Sequence, residues 1–219
     1  MKKLINTPQI TKPMKNIFIV LDGLDGSGKG EMINRLHNYL FSKSKDYKIL
    51  STREPSSGKY GKEIRELLKT EKDPKANAEN FLDLYIKDRE DHLKETILPF
   101  LNSATNINIV ICDRYYYSTI AFQHTQGIEL NKVIELNKDF KQPDIAFILD
   151  LPPEIALERI GNRGKQKEKF EQLEFMQTLR KNFLELKQHI TDNIKIIDAS
   201  KTKEEVFNQI KKEIDILLT

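Results

Sequence analysis

The stretch that decides the fold covers residues 17–29 and has the sequence IFIVLDGLDGSGK. It begins with five apolar residues, which predict a strand buried on both faces. Residues 23–29 then match the first seven positions of the phosphate-binding pattern G-x-x-x-x-G-K-[ST]. Glycines let backbone N–H groups point at phosphate oxygens, and a following helix adds partial positive charge. The stretch therefore predicts a nucleotide-binding loop, whose contacts we expect from Gly23, Gly26, Ser27, Gly28, Lys29 and Gly30.

Around this stretch, short apolar runs alternate with longer amphipathic runs. The apolar runs predict further strands at residues 48–51, 107–112, 145–151 and 194–197. The amphipathic runs predict helices at residues 31–41, 60–68, 78–101 and 203–218, and another that opens with Pro152 and Pro153. This alternation predicts an α/β fold, in which a five-stranded parallel sheet has helices on both faces. We expect ligands to bind beyond the carboxyl ends of the strands.

Composition excludes several classes of protein. The 219 residues suit one domain, expected at residues 17–219 after a loosely ordered tail of residues 1–16. A net charge of +3, from 36 basic and 33 acidic residues, argues against a nucleic-acid partner. No apolar run is long enough to predict a membrane span. The single Cys112, between apolar neighbours, predicts a buried structural thiol and suits a reducing compartment such as the cytoplasm.

Two arginines follow predicted strands, and two further residues share a helix face. Arg53 and Arg114 would project at the ligand edge of the sheet, where a guanidinium fork matches a phosphate group. Either one alone would be an ordinary solvated charge, but two at equivalent positions favour binding of an acceptor phosphate. Tyr85 and Arg89 lie four residues apart on a predicted helix. That spacing is as typical of a surface pair as of a binding site.

Taken together, these motifs resemble the thymidylate kinase family over most of the chain. The similar segments are residues 18–29, TREP at 52–55, Tyr85 with Arg89, CDRY at 112–115 with Ser118, Ala121, Phe122 and Gln123, Pro143 with Asp144, Asp150 with Leu151, and Arg159, Arg163, Phe170 and Glu171. The resemblance implies a P-loop nucleoside monophosphate kinase fold with a helical lid, and a homodimer. It also implies that the protein uses ATP and Mg²⁺ to phosphorylate thymidine monophosphate (dTMP) to dTDP, a step in dTTP synthesis.

The resemblance implies roles for individual residues of the acceptor site. Tyr85 would stack on the pyrimidine and Arg89 would bond its carbonyl edge, with Thr119 as a weaker candidate there. Asp25 would face the 3′-hydroxyl of the acceptor. Phe122 would fill the space of a ribose 2′-hydroxyl and so favour deoxyribose.

A basic run at residues 159–169 resembles the lid of this family. Its lysines are typical of a solvated face, whereas Gly161 and Gly164 offer hinge positions. Gly26 stands where some relatives carry a loop arginine, so Arg159 or Arg163 would supply the cation at the transferring phosphoryl group. The predicted catalytic residues are Lys29, Arg114, Arg159 and Arg163.

One position departs from the loop pattern, because Gly30 stands where Ser or Thr usually binds Mg²⁺. We expect a water to fill that place and to pass the contact to Asp113 or Asp22, both near strand ends. Three alternatives remain open at this point: another nucleoside monophosphate kinase, a deoxynucleoside kinase, and a P-loop protein that binds nucleotide without catalysis. Only Gly30 favours the last.

Overall fold

A parallel sheet forms the centre of the computed structural model, which describes residues 16–71, 76–103, 107–161 and 173–219. Its strands are β1 (Ile17–Gly23), β2 (Tyr47–Arg53), β3 (Ile107–Asp113), β4 (Ile145–Asp150) and β5 (Ile194–Asp198). Their order is β2-β3-β1-β4-β5, and every pairing is parallel. The predicted five-stranded parallel sheet is therefore confirmed, and four of the strands end one or two residues later than predicted.

The register of the strands brings polar residues together at one edge of the sheet. Asp113 at the end of β3 lies beside Leu21 of β1 on one side and Arg53 of β2 on the other. Gly23 lies beside Leu149, so the phosphate-binding loop starts next to the end of β4. Because all five strands run in the same direction, the segments that follow them collect at this edge.

Helices cover both faces of the sheet. They are α1 (Lys29–Lys43), α2 (Lys59–Thr70), α3 (Ala78–His92), α4 (Leu98–Leu101), α5 (Tyr116–Thr125), α6 (Leu130–Asn137), α7 (Pro153–Gly161), α8 (Leu173–His189) and α9 (Lys203–Leu217). All seven residues of β1 are buried, and neighbouring strand side chains point to opposite faces, so both faces must be covered. α1 packs with α9, while α5 packs with α3, α6 and α8.

The helix predicted at residues 78–101 is not one regular α-helix. α3 ends at His92, a π-helical turn follows at Leu93–Ile97, and α4 completes the segment. The cause is Pro99 in the first turn of α4, which has no N–H for the carbonyl four residues earlier. The wider π turn accommodates the lost hydrogen bond, and the backbone stays right-handed through it.

The predicted elements lack α5, α6 and α8, and the first two were missed for physical reasons. The first six residues of α5, from Tyr116 to Ala121, are all buried. A helix buried on all sides lacks the polar stripe by which periodicity reveals a helix. α6 is only eight residues long, which gives the pattern little room to repeat.

The hydrophobic core is centred on the sheet. Phe18, Phe147 and Phe183 are among its largest fully buried side chains. Cys112 is buried in β3 as predicted, and burial raises the pKa of its thiol well above the ordinary value. A smaller apolar cluster around Phe81 joins α2 to α3. Within the described ranges, no helix combines the length and apolar character that crossing a membrane requires.

The close approach of α2 to its neighbours generates a prediction at Gly61. A Cβ at this buried position would collide with the Ser56 carbonyl oxygen and lie 2.8 Å from Asp88 Oδ1. Gly61→Ala should therefore lower the free energy of unfolding by about 1–3 kcal/mol, measured by urea denaturation. The control is Gly161→Ala, where a Cβ meets no atom within 4 Å in the part of the chain that the structure describes. It should be neutral or stabilise by up to about 1 kcal/mol, and equal losses at both positions would contradict the packing argument.

Candidate active site

The phosphate-binding loop joins β1 to α1 and packs tightly against its neighbours. Gly23, Gly26 and Gly28 have φ angles of 130°, 82° and 96°, which side chains rarely tolerate. A Cβ at Gly23 would lie 2.6 Å from a β4 carbonyl oxygen, and one at Gly26 would lie 2.7 Å from the Ala156 carbonyl oxygen. A Cβ at Gly28 or Gly30 would meet no atom of the described residues within 4 Å. The loop is therefore closed on the side of β4 and α7 and open around Gly28 and Gly30.

Lys29 is the first residue of α1, and its side chain is buried against the loop. Its Nζ donates hydrogen bonds to the carbonyl oxygens of Gly23 at 3.0 Å and Leu24 at 2.9 Å. Burial and the nearby Arg114 lower the pKa of Lys29, although three aspartates act in the opposite direction. An anion bound in the loop would stabilise the charged form of this amine.

Asp22 is a fully buried carboxylate that connects the loop to α5. Its Oδ1 accepts from the Gly23 N–H at 2.8 Å and from Ser118 Oγ at 2.6 Å. Its Oδ2 accepts from the N–H groups of Tyr115 at 3.2 Å and Ser118 at 2.9 Å. Burial raises the pKa of Asp22, and Arg114 opposes that rise. Because its two oxygens accept four bonds, Asp22 has a structural role at this junction, and the water-bridged metal contact expected from the sequence stays a prediction.

Arg114 has a φ angle of 70°, in the left-handed region that residues other than glycine rarely occupy. Its Nη1 donates to Ser118 Oγ at 2.7 Å, and its Nη2 donates to Asp25 Oδ1 at 2.8 Å. The guanidinium carbon lies 5.6 Å from the centroid of the Phe122 ring. Burial acts to lower the pKa of Arg114, but three nearby aspartates hold it above its ordinary value. The surrounding contacts thus hold a permanently charged group in a strained backbone conformation.

A cavity of about 330 Å³ lies beside the loop, between α2, α3, α5, α7 and α8. Six of the predicted acceptor residues line it, namely Asp25, Tyr85, Arg89, Arg114, Thr119 and Phe122. Apolar side chains complete the wall, among them Leu68, Ile160, Met176 and Leu179. The volume lies at the lower end of the range for small-molecule pockets.

Two of the predicted arginines, Arg53 and Arg159, are not part of this cavity wall. Arg53 is exposed at the end of β2. Arg159 is half-buried, and its Nη1 donates to the Ala199 carbonyl oxygen at 3.3 Å, just after β5. Arg163, the predicted lid from residue 162 onward and residues 1–15 of the predicted tail lie outside the described residues.

Two buried oxygens near the loop have no hydrogen-bond partner within the described part of the chain. They are Ser27 Oγ, in the loop itself, and Asp113 Oδ1, at the end of β3. An unsatisfied buried polar atom costs about 1–3 kcal/mol, so such atoms mark places where a bound ligand or ion completes the bonding. No group of three or more His, Cys, Asp or Glu suited to a metal occurs in the described ranges. A cation here would therefore contact few protein groups.

Gln123 received no role from the sequence, yet it lines the cavity. Its Nε2 donates to Gln126 Oε1 at 2.9 Å, whereas its Oε1 has no partner among the described residues. The signal that identifies it is helical spacing, because Thr119, Phe122 and Gln123 at positions i, i+3 and i+4 share one face of α5.

The sheet, the loop and the cavity together define the class of protein. The loop has glycines, a helix N-terminus and Lys29 in the arrangement that suits the phosphates of a nucleotide. The adjoining cavity has Arg114 and aromatic side chains in its wall, and its size suits a second, smaller ligand. Two such sites at the carboxyl edge of a parallel sheet are the arrangement of a P-loop nucleoside monophosphate kinase.

Comparison with known proteins identifies the family. A family model described as Thymidylate kinase matches residues 21–210. A probable thymidylate kinase of Archaeoglobus fulgidus is 37% identical over 203 residues, which cover 92% of this chain and 96% of the relative. A thymidylate kinase of Caldicellulosiruptor saccharolyticus is 37% identical over 212 residues, covering 94% and 98%. A probable thymidylate kinase of Pyrococcus horikoshii is 36% identical over 200 residues, covering 90% and 95%. The chain belongs to the thymidylate kinase family, which confirms the resemblance found in its motifs.

The contacts of Asp22 generate a prediction that separates a structural from a ligand-binding carboxylate. Asp22→Ala leaves buried donors unsatisfied and removes a buried partner of Arg114, so the free energy of unfolding should fall by about 3–5 kcal/mol. Asp25→Ala is the matched control, because Asp25 also pairs with Arg114 but its side chain is 47% exposed. It should change stability by less than about 1 kcal/mol in the same guanidinium titration. Similar losses for both variants would refute the structural role of Asp22.

Proposed function

We propose that this protein transfers the γ-phosphoryl group of ATP to the phosphate of dTMP, giving dTDP and ADP. The observation that carries the proposal is the set of hydrogen-bonding groups that Arg89, Thr119 and Gln123 contribute to the cavity wall. The names of relatives at 36–37% identity support the same acceptor.

The three groups complement the edge of thymine, which offers a carbonyl, an N–H and a second carbonyl in a row. Arg89 supplies an N–H donor. The Thr119 hydroxyl accepts from Arg89 Nη2 at 2.9 Å, so it keeps its own proton to donate. Gln123 Oε1 supplies the acceptor for the N–H of the base. Cytosine carries an amino group in place of one carbonyl and no proton on N3, so it would mismatch two of the three contacts.

The remaining walls of the cavity suit the pyrimidine ring and the sugar. Tyr85 offers a ring face for stacking, and the Phe81 ring supports it at 6.4 Å between centroids. Phe122 and Asp25 line the same cavity, and we propose that Phe122 occupies the space of a ribose 2′-hydroxyl and that Asp25 faces the 3′-hydroxyl. Because Asp25 is ion-paired with Arg114, the groups assigned to the sugar and to the acceptor phosphate are physically linked.

Charge neutralisation carries the proposed mechanism. Phosphoryl transfer needs in-line positioning more than a side-chain base, and an acceptor phosphate dianion is itself the nucleophile. Arg114 and Arg53 form the proposed clamp on that phosphate, while Lys29 and the loop hold the donor. Arg159 or Arg163 would supply the cation at the transferring group, and Arg159 would give up its contact with the Ala199 carbonyl to do so.

The residues present fit a magnesium ion that arrives with ATP. Asp113 Oδ1 is a buried carboxylate oxygen without a partner among the described residues, and Mg²⁺ prefers such hard oxygen ligands. The open space around Gly30 leaves room for a water on the ion. Asp113 is therefore the proposed contact, through water. When bound, Mg²⁺ neutralises charge on the phosphates during transfer.

A coupled assay with ATP, Mg²⁺ and a panel of monophosphates tests the proposal. We expect dTMP to be the best acceptor and dUMP to be slower. The kcat/KM for dCMP should be lower by about 100-fold or more, because unpaired polar groups penalise the wrong base. A faster purine or cytidine acceptor would overturn the assignment. ATP binding without transfer to any monophosphate would favour the non-catalytic alternative that Gly30 leaves open.

The role of Gln123 gives a prediction for base selectivity. Gln123→Met keeps the size of the side chain but removes the acceptor oxygen, so kcat/KM for dTMP should fall about 10- to 100-fold. Activity with dCMP should fall less, since cytosine has no N3 proton to donate. Gln177→Met on the exposed face of α8 is the control and should leave both values unchanged. Equal losses with dTMP and dCMP would contradict base reading by Gln123.

The magnesium assignment gives a prediction for Asp113 and Gly30. Asp113→Asn should raise the Mg²⁺ concentration required for tight ATP binding by about 10-fold or more, measured by calorimetry. Gly30→Thr, which restores the hydroxyl of the loop pattern in open space, should be tolerated and should lower that concentration. An unchanged Mg²⁺ dependence in Asp113→Asn would remove Asp113 from the metal site. Activity that appears only in Gly30→Thr would show the natural protein to be a nucleotide-binding switch.

A cytoplasmic location and a homodimeric state complete the proposal. Cys112 is a free, buried thiol, which suits a reducing compartment. The homodimer is implied by the family resemblance alone, and no nucleic-acid or membrane partner is proposed. Sedimentation equilibrium tests the assembly, and a monomer at micromolar concentration would contradict it.

A further inference from the structure

Three buried polar residues of α3 contact every second residue from the end of β2 onward. The contacted residues are Thr52, Glu54 and Ser56. Asp88 accepts from the Ser56 N–H at 2.7 Å and from Ser56 Oγ at 2.6 Å. Arg89 Nε donates to Glu54 Oε2 at 2.9 Å. His92 approaches Thr52 Oγ1 at 2.7 Å through Nε2 and Glu54 Oε1 at 3.3 Å through Nδ1. The contacts of Arg89 and His92 meet at the carboxylate of Glu54.

Arg89 uses most of its donors within the protein. Nη1 donates to Asn137 Oδ1 at 2.6 Å, and Nη2 donates to Thr119 Oγ1 at 2.9 Å. Nη2 also lies 2.7 Å from Glu54 Oε2. A guanidinium has five N–H groups, and the three hydrogen bonds from Nε, Nη1 and Nη2 use three of them. Nη1 and Nη2 each keep one further N–H, and the direction in which these groups can donate depends on how the guanidinium is held.

His92 and Arg89 hold opposite oxygens of the same carboxylate. Glu54 Oε1 faces His92 Nδ1, and Glu54 Oε2 faces the Arg89 guanidinium. A carboxylate only accepts, so Nδ1 of His92 carries a proton, and in the neutral ring Nε2 accepts from the Thr52 hydroxyl. The side chains of Glu54, Arg89 and His92 are each no more than 3% exposed, so water does not replace a lost contact without rearrangement.

We infer that His92 is a positioning residue for base recognition, which acts on Arg89 through Glu54. The inference rests on the proposed function, in which Arg89 donates to a carbonyl of the base. Without the His92 Nδ1–H, the Glu54 carboxylate can rotate about its last side-chain bond, and Oε2 no longer fixes the guanidinium. The remaining N–H groups of Arg89 then lose their direction toward the cavity.

Two isosteric variants separate this role from general packing. The side-chain nitrogen of asparagine reproduces the position of His Nδ1, whereas that of glutamine reproduces Nε2. His92→Asn can therefore keep the Glu54 contact, and His92→Gln keeps only the Thr52 contact. Steady-state kinetics with dTMP and dCMP, and with ATP as the varied substrate, are the readout.

We expect His92→Gln to raise the KM for dTMP about 10-fold and to reduce the preference for dTMP over dCMP by a similar factor. Its kcat and its KM for ATP should stay within about 3-fold, since the donor site is untouched. His92→Asn should remain near wild type in all these values. The controls are His37→Asn and His37→Gln, because His37 also contacts a β2 hydroxyl, Ser51 Oγ at 3.0 Å, but does not line the cavity. Both His37 variants should keep the wild-type kcat and KM values.

Several outcomes overturn the inference. It is wrong if His92→Gln behaves as wild type, if Asn and Gln variants are equally impaired, or if the KM values for dTMP and ATP rise together. Should His92→Gln not fold, Glu54→Gln is the second variant, which keeps the shape but loses the charge that holds Arg89. Glu54→Gln should show the same selective rise in the KM for dTMP. An unchanged KM for dTMP in this variant would count against the inference.

Failure of the proposed function would look different. If wild-type protein prefers another monophosphate, the assignment of dTMP falls. His92→Asn and His92→Gln are then assayed with that preferred acceptor. The positioning role holds if only His92→Gln raises the KM for the acceptor while the KM for ATP is unchanged, and it is wrong otherwise.

Discussion

One buried carboxylate, Asp22, sets the geometry on which both halves of the site depend. It accepts the first N–H of the phosphate-binding loop and three donors at the start of α5. The loop holds the proposed donor nucleotide, and α5 carries Thr119, Phe122 and Gln123 into the acceptor cavity. Since hydrogen bonds to a buried charge are stronger than those at the surface, the two sites are fixed relative to each other through this single side chain.

What the sequence predicted well was local. The strands and the loop were predicted because their apolar runs and glycines are contiguous, and six cavity residues followed from motifs on α3, α5 and the loop. α5 was missed because a helix buried on all sides has no amphipathic pattern. Gln123 received no role because the helix that carries it was not predicted, and His92 was missed because its importance depends on tertiary contacts. His92 meets Glu54 across 38 residues of chain, a separation that no local pattern records.

Carboxylate–arginine pairs recur at the points where separate elements must meet the ligands in register. Glu54 holds Arg89 at the proposed base end of the cavity, and Asp25 holds Arg114 at the proposed phosphate end. Arg180 of α8 bonds both oxygens of Asp150 at 2.6 and 2.9 Å, which ties that helix to the end of β4. The bidentate pair of Arg180 with Asp150 fixes direction as well as distance. Arg53 and Arg159 lack such a carboxylate among the described residues, and neither side chain lines the cavity.

The contact between Gly26 and α7 limits how this enzyme can evolve. An arginine in the loop would place a cation for phosphoryl transfer on the rigid part of the molecule. The lid would then not have to supply one. At Gly26, however, any side chain would adopt a φ of 82° and approach the Ala156 carbonyl oxygen to 2.7 Å. The substitution therefore requires α7 to move at the same time. A single substitution at Gly26 is thus opposed by the backbone of a neighbouring helix, which favours a lineage in which the proposed catalytic cation comes from the lid.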